Sequence, residues 1–294
     1  MTMPRLSVVI PSYNQAAYLA ETIESVLGQG YDNLQLMVID GGSDDGSVGI
    51  IERYRDVLDV AISEPDGGQT EAINKGLMRA DGDLVTWVCS DDTLLPGSLD
   101  AVAGAYVAAG RPAWLAGRCQ QMDASGVLLG VEPRSEGITL RDALLRSPER
   151  PFAFPQPGVW WDPKLHRSLG YLDASLHYCM DFAWWLRLMS SGYSPVTVEA
   201  VLATYRMHEA SKTCAQPEGF IREHLRVERF YARRLSLRER WRVFRRTAYQ
   251  YRSAELARVS GRPWSSVVRR PWWLLSQQVR GRLWAGDASC SLAA

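Results

Sequence analysis

The sequence predicts an α/β fold, a mostly parallel central sheet with helices on both faces, joined to a C-terminal helical appendage. Three observations predict it. Over the first hundred residues, short β-rich apolar runs alternate with amphipathic stretches of helical period, the pattern of parallel strands joined by crossover helices. Each of the four apolar runs ends in a cluster of glycine and polar residues. In the last eighty residues the pattern becomes long, helical and rich in arginine.

The elements follow in chain order. Leu6–Ile10, Leu34–Asp40, Val60–Glu64 and Leu84–Cys89 read as strands bounded by turn residues. Ala17–Leu27, Ser47–Tyr54 and Thr70–Arg79 read as the helices between them, and another helix follows Pro96. Residues 113–135 read as further strands around a turn at Asp123-Ala124-Ser125-Gly126, residues 139–146 as a short helix, and Gly158–Trp161 as a strand. Asp181–Ser191 reads as a helix, with apolar Phe182, Trp185, Leu186, Leu188 and Met189 around charged Arg187. Val196–Tyr205 reads as extended. The helical region from Phe220 is interrupted at Gly261-Arg262-Pro263 and at Pro271.

Composition sets bounds. With 46% hydrophobic residues in 294, a globular core is feasible and disorder is not expected. No run of eighteen apolar residues occurs, so no transmembrane helix is expected, and the start does not read as a signal peptide. Cys89, Cys119, Cys179, Cys214 and Cys290 are odd in number and scattered, which suggests free thiols in a reducing compartment rather than disulfides or a zinc site. The zero net charge hides an asymmetry. Residues 215–294 hold 17 Arg against 6 acidic residues, a surplus of 11 that the first 214 residues balance with the opposite sign.

The four polar clusters fall after the four strands, where ligands of such sheets bind. They are Pro11-Ser12-Tyr13-Asn14, then Asp40-Gly41-Gly42-Ser43, then Asp66-Gly67-Gly68-Gln69, then Ser90-Asp91-Asp92. Paired carboxylates at a sheet edge repel one another and lose solvation, so a hard divalent cation, Mg2+ or Mn2+, is their natural partner. The plainer reading of Asp91 and Asp92 is a helix cap, but the next helix starts only after Pro96. Tyr13 reads either as a stacking platform for a nucleobase or as a core residue. Asp40 reads either as an acceptor for a base N–H or as a turn aspartate ahead of two glycines. Neither GxGxxG nor GxxxxGK[ST] is present, which argues against a dinucleotide site and a P-loop.

In order, Val8-Val9-Ile10-Pro11-Ser12-Tyr13-Asn14, Val38-Ile39-Asp40-Gly41-Gly42-Ser43-Asp44-Asp45-Gly46-Ser47 and Ser90-Asp91-Asp92 resemble glycosyltransferase family 2, of the GT-A fold. Glu64-Pro65-Asp66-Gly67-Gly68-Gln69-Thr70-Glu71-Ala72-Ile73-Asn74-Lys75-Gly76 is similar to a segment of its bacterial polysaccharide-synthesis members. The resemblance covers roughly residues 5–213 and implies a catalytic domain over 1–214, with a nucleotide-sugar half (1–110), an acceptor half (111–214) and a separate region over 215–294. It implies that Tyr13 and Asp40 hold the base, Asp91 the ribose or the metal's surroundings, and Asp92 the metal. Pro11, Ser12, Asp66, Asn74, Lys75 and Ser90 join them as nucleotide-sugar contacts. The usual Asp-x-Asp motif here has Ser90 at its first position.

Gln156-Pro157-Gly158-Val159-Trp160-Trp161 and Tyr178-Cys179-Met180-Asp181-Phe182-Ala183-Trp184-Trp185 resemble the family's acceptor side. There an acidic residue opening the helix is the general base. Met180 replaces the usual glutamate, which leaves Asp181; the plainer reading is a dipole-stabilised N-terminal aspartate. Trp160, Trp161, Trp184 and Trp185 read mostly as core, with one of them a sugar platform. Thr204-Tyr205-Arg206-Met207-His208 is similar to the segment that closes over the diphosphate. Arg206 is expected on phosphate, and His208 on phosphate or metal, against a structural role.

The expected reaction is metal-assisted, inverting transfer from a nucleoside-diphosphate sugar to a hydroxyl of a glycan or lipid-linked acceptor in cell-envelope polysaccharide synthesis. The alternatives are a nucleotidyltransferase, which would carry a basic triphosphate loop where Ser12-Tyr13-Asn14-Gln15 stands, and a non-catalytic nucleotide-sugar binding module. The expected location is cytoplasmic, either soluble or peripheral on the inner face of the membrane. The Arg-rich region, with Trp241, Trp264, Trp272, Trp273 and Trp284, reads equally as a contact with anionic membrane or as packing on the catalytic domain or a second subunit. No nucleic-acid recognition motif appears.

Overall fold

The heptad of residues Leu-Ser-Val-Val-Ile-Pro-Ser forms β1 (Leu6–Ser12), buried along its whole length. Its side chains alternate between two apolar layers. Leu6, Val8 and Ile10 pack on one face of the sheet and Val9 on the other. Such two-sided burial is why the run reads as continuous hydrophobic sequence. In this computed structural model, residues 3–132, 136–145, 154–208, 211–212 and 217–260 are described.

Beyond β1 the chain forms α1 (Leu19–Leu27), β2 (Leu34–Asp40), α2 (Ser47–Arg53), β3 (Val60–Ser63), α3 (Gln69–Leu77) and β4 (Leu84–Trp87). It continues with β5 (Thr93–Leu94), α4 (Ser98–Ala108), β6 (Trp114–Asp123), β7 (Leu128–Val131), α5 (Leu140–Leu145), β8 (Val159–Trp161) and α6 (Lys164–Leu169). Last come α7 (Met180–Ser190), β9 (Val196–Met207), α8 (Pro217–Ala232) and α9 (Leu237–Ser260). The sheet order is β3-β2-β1-β4-β8-β6-β9-β5, with β7 on β6.

The first four strands are all parallel, as the alternating pattern predicts. The other half is mixed: β8 runs antiparallel to β4 and β6, β9 runs parallel to β6, and β5 and β7 are antiparallel to their partners. The short β5 and α6 were not legible in sequence. Thr93–Leu94 is only two residues long, and is fixed by pairing with Thr204 and Ala203, over a hundred positions away.

Close approach of α3 to the sheet depends on Gly76. A Cβ there would lie 2.3 Å from Val9 Cγ1. Under the sheet, Trp185 stacks between Trp87 and Trp114, with ring centroids 6.1 and 5.9 Å away and planes 12° apart. Trp160, Trp161, Trp184 and Trp185 are at most 1% exposed, so they are core residues and none presents a sugar platform.

The C-terminal helices share that core. Phe220, Val227, Tyr231, Ala232 and Val243 belong to the apolar cluster that includes α3 and α7. The expected boundary at residue 215 therefore does not separate α8 and α9 from the sheet domain. The interruptions at Gly261-Arg262-Pro263 and Pro271, the tryptophans 264, 272, 273 and 284, and Cys214 and Cys290 lie outside the described residues.

Candidate active site

The four polar clusters meet at the carboxyl end of the parallel strands. The first two are knitted by hydrogen bonds: the Gly41 N–H donates to the Ser12 carbonyl at 2.9 Å, and the Asp44 N–H to Asn14 Oδ1 at 3.0 Å. Asn14 takes a left-handed backbone, φ 51°, which asparagine tolerates. The chain turns there and leaves Tyr13 63% exposed at the strand mouth, not in the core. Pro11 and Ser12 are buried, and Ser12 Oγ has no hydrogen-bond partner among the described residues.

Asp40 is fully buried. Its Oδ2 accepts the Gly42 and Ser43 N–H groups and the Ser63 hydroxyl at 3.1, 2.9 and 2.7 Å, while Oδ1 accepts the Ser43 hydroxyl at 2.5 Å. The geometry is that of a turn aspartate with most of its acceptor capacity in use. Asp66 differs. Its Oδ1 accepts the Gly68 N–H at 2.8 Å, but its buried Oδ2 has no partner. A Cβ on Gly41 would come within 3.1 Å of that carboxylate, so the glycine lets Asp66 lie against the Asp40 turn.

At the end of β4, Cys89, Asp91 and Asp92 bring one ligand atom each to within 4.8 Å of one another. Asp92 is 7% exposed, and burial together with the Asp91 charge pushes its carboxyl well above the usual range. Asp92 Oδ1 accepts the Arg206 backbone N–H at 2.9 Å, and Asp91 Oδ2 lies 2.9 Å from His208 Nε2. A buried, repelling acid pair flanked by a thiol suits a divalent cation, which would reverse the cost of ionising it. Ser90 is buried beside the pair.

Two expected contacts, Arg206 on phosphate and Asn74 on the nucleotide-sugar, are corrected by this geometry. The Arg206 side chain is 2% exposed and its guanidinium is engaged, by Glu21 at 2.6 Å, by the Asp91 carbonyl at 3.0 Å and by the Ala124 carbonyl at 3.3 Å, with its carbon 4.7 Å from the Tyr18 ring centroid. It braces the acid loop and is not presented to a phosphate. His208 Nε2 lies 2.9 Å from Asp91 Oδ2, beside the three-ligand group, with its ring 5.0 Å from Tyr18. Asn74 spends both ends of its amide on the Leu172 backbone, at 2.9 and 3.0 Å, and so pins the loop before α7 to α3. Lys75 of α3 pairs with Glu64, in the loop after β3, at 2.8 Å.

Asp181 sits in the first turn of α7. Burial raises its carboxyl to about 6, against the opposing Phe182 N–H, which donates to Oδ1 at 2.6 Å. Burial, and after it the charges of Asp92 and Asp91, raise the Cys89 thiol well above its usual value. The Gln69 amide donates to its sulfur at 3.2 Å.

Sequence reading missed several of these residues. In sequence Cys89 reads as one more free thiol, although its place directly before Ser90-Asp91-Asp92 is the available signal. Lys212 is exposed and donates from Nζ to the His177 carbonyl at 3.3 Å, ahead of α7. Glu223 of α8 accepts the His177, Tyr178 and Cys179 N–H groups at 2.8, 2.7 and 3.1 Å, just ahead of α7. No local pattern links it to Asp181.

Residues 7–114 match the sequence model of Glycosyl transferase family 2. A putative teichuronic acid biosynthesis glycosyltransferase, TuaG of Bacillus subtilis, is 36% identical over 92 residues, 30% of this chain and 36% of its own. An uncharacterized glycosyltransferase of Haemophilus influenzae is 37% identical over 103 residues, 34% of this chain and 41% of its own. The chain thus spans well under two thirds of these relatives. Two solved structures share the fold. Staphylococcus aureus TarS in complex with UDP-GlcNAc superposes with a TM-score of 0.64 at 18% identity, over 86% of this chain and 73% of its own. The mannosyltransferase PcManGT of Pyrobaculum calidifontis, in complex with GDP-Man and Mn2+, superposes with a TM-score of 0.57 at 17% identity, over 98% and 89%.

Proposed function

We propose that the chain, whose residues 7–114 match the model of Glycosyl transferase family 2 and whose fold is shared with TarS, is an inverting transferase using a nucleoside-diphosphate sugar and a hydroxyl acceptor. The observation that carries this reading is the group at the end of β4, where Cys89, Asp91 and Asp92 bring one ligand atom each to within 4.8 Å of one another.

Tyr13 stacks on the base, its ring being exposed at the end of β1. Asp66 Oδ2, buried and unpartnered, accepts a base N–H, with Asp40 holding the floor of that pocket through its turn. Asp91, held by His208, meets the ribose or the metal's surroundings, and Asp92 binds the cation; Cys89 lies within the same ligand group. A bound Mg2+ or Mn2+ would offset charge on the departing diphosphate. Lys212 supplies the cationic side chain that Arg206, engaged elsewhere, does not. Asp181 withdraws the proton from the acceptor hydroxyl as that oxygen attacks the anomeric carbon. The acceptor class is a glycan or a lipid-linked saccharide of polysaccharide synthesis, as the name of TuaG suggests for that protein.

Thermal-shift titration with UDP-, GDP- and dTDP-sugars, with and without Mn2+, tests donor binding. The expected result is a melting-point rise with one nucleotide class, enlarged by Mn2+ and lost in Asp92→Ala. A metal-independent shift that survives Asp92→Ala would remove the role given to the acid pair.

A further inference from the structure

We propose that the outer face of the α8–α9 hairpin is a docking surface for a bilayer bearing anionic phospholipid. The proposal deepens the lipid-linked acceptor reading, but it stands on binding, which is measured without catalysis. No helix among the described residues is long and apolar enough to cross a membrane, so the contact is peripheral.

Charge segregation is the first observation. Between residues 219 and 249, nine of the ten arginines are exposed and none of the three glutamates is. Glu223 caps the start of α7, Glu228 pairs with Arg246 at 2.8 Å, and Glu239 is held by Ser236 and Arg141. Each acid thus faces a partner within the fold, whereas of the exposed arginines Arg226 and Arg234 reach back, to Ser175 and to the Ser190 carbonyl at 2.7 and 2.6 Å.

The second observation is apolar surface set among those arginines. Phe230, Leu237, Trp241 and Phe244 are 60, 79, 58 and 43% exposed. The Trp241 and Phe244 rings stack with centroids 5.5 Å apart. The Arg229 guanidinium of α8 lies 5.8 Å from the Phe244 ring of α9, so one patch runs across both helices. Aromatic side chains inserted at the headgroup level, with arginines around them, match the chemistry of an anionic interface.

Other occupants fit less well. A second copy placed face to face would bring the same arginines against each other. Residues 261–294 carry five Arg and one Asp, so they share the sign of the patch and do not neutralise it.

The test is co-sedimentation of the full-length protein with phosphatidylcholine vesicles, with or without roughly one-third phosphatidylglycerol. Binding is expected only to the anionic vesicles, and to fall as salt rises from about 0.1 to 0.5 M. The double variants Arg238→Glu/Arg242→Glu and Trp241→Ser/Phe244→Ser should each lose roughly tenfold or more in vesicle affinity. Both should keep the nucleotide thermal shift of the parent, which shows that they are folded. Equal binding to neutral vesicles, no binding, or binding unchanged in both variants would overturn the proposal. So would a protein dimer, or capture of a single-stranded oligonucleotide, lost in these variants without vesicle binding. Vesicle binding without any nucleotide shift would instead sink the donor reading and leave the surface in place.

Discussion

Asp181 ties the acid–base chemistry to stability. Its folded carboxyl titrates near 6 because burial disfavours the charge, whereas an unfolded aspartate titrates near about 3.9. Between those values the folded protein binds the extra proton. The group's stabilising contribution is therefore complete below about 4 and lost as pH rises through about 6. Asp181→Asn removes that loss. Above pH 6 the variant should be more stable than the parent by up to about 3 kcal/mol, and near pH 4 the two should coincide. In the proposed role of base Asp181 must be ionised, so kcat/KM should rise with pH through about 6, and the variant should lose ~10²–10⁴-fold in transfer while still binding donor. Urea melts at both pH values, beside a transfer assay, check both arms. Normal turnover by the variant would exclude Asp181 as the base. At this scale the sequence was informative about residue type and weak about commitment. Tyr13, Asp91, Asp92 and Asp181 stand where the strand and helix ends predict. The engagement of Arg206 by Glu21, of His208 by Asp91 and of Asn74 by Leu172 depends on partners 185, 117 and 98 positions away, and no motif encodes those.

At the scale of elements, α8 acts on α7. Glu223 accepts three successive N–H groups immediately before the helix that carries Asp181, and its charge is the one side-chain influence that helps raise the Asp181 carboxyl. Glu223→Gln keeps the shape, weakens the three bonds and removes the charge. Stability should fall by about 1–3 kcal/mol, and the acid limb of the kcat/KM profile should move to lower pH. A role confined to holding the loop would lower stability and leave the limb in place, so a pH profile beside a denaturation curve separates the two. The elements themselves were largely legible. The four parallel strands and their helices carry strong periodicity and end in turn residues. In the mixed half β6, β7, β8 and β9 were legible as strands, but the two-residue β5 was not, because it gains its definition from pairing rather than from pattern.

The whole molecule joins what its charge pattern divides. Sequence asymmetry marks residue 215 as a boundary, yet apolar packing crosses it. Phe220, Val227, Tyr231 and Val243 are each at most 7% exposed within the cluster shared with α3 and α7. Burying a large apolar side chain contributes about 1.5–3 kcal/mol, so these four together contribute on the order of the entire stability of a typical domain. Arg246 adds a polar tie across the same junction, donating to the Leu144 carbonyl at 2.7 Å while paired with buried Glu228. A chain ending at residue 214 should therefore expose the underside of α7 and fail to melt cooperatively, whereas one ending at residue 260, which keeps α8 and α9, should melt cooperatively. Circular dichroism melts of the two truncations decide the matter. A cooperative transition in the 1–214 chain, with donor-induced stabilisation intact, would mean that α8 and α9 are a dispensable appendage. Their arginines would then have no fixed relation to the site. Loss of folding would instead make the basic face and the helix bearing Asp181 parts of one rigid unit, the arrangement needed for a surface-bound enzyme to hold its acceptor site at a constant height above the lipid.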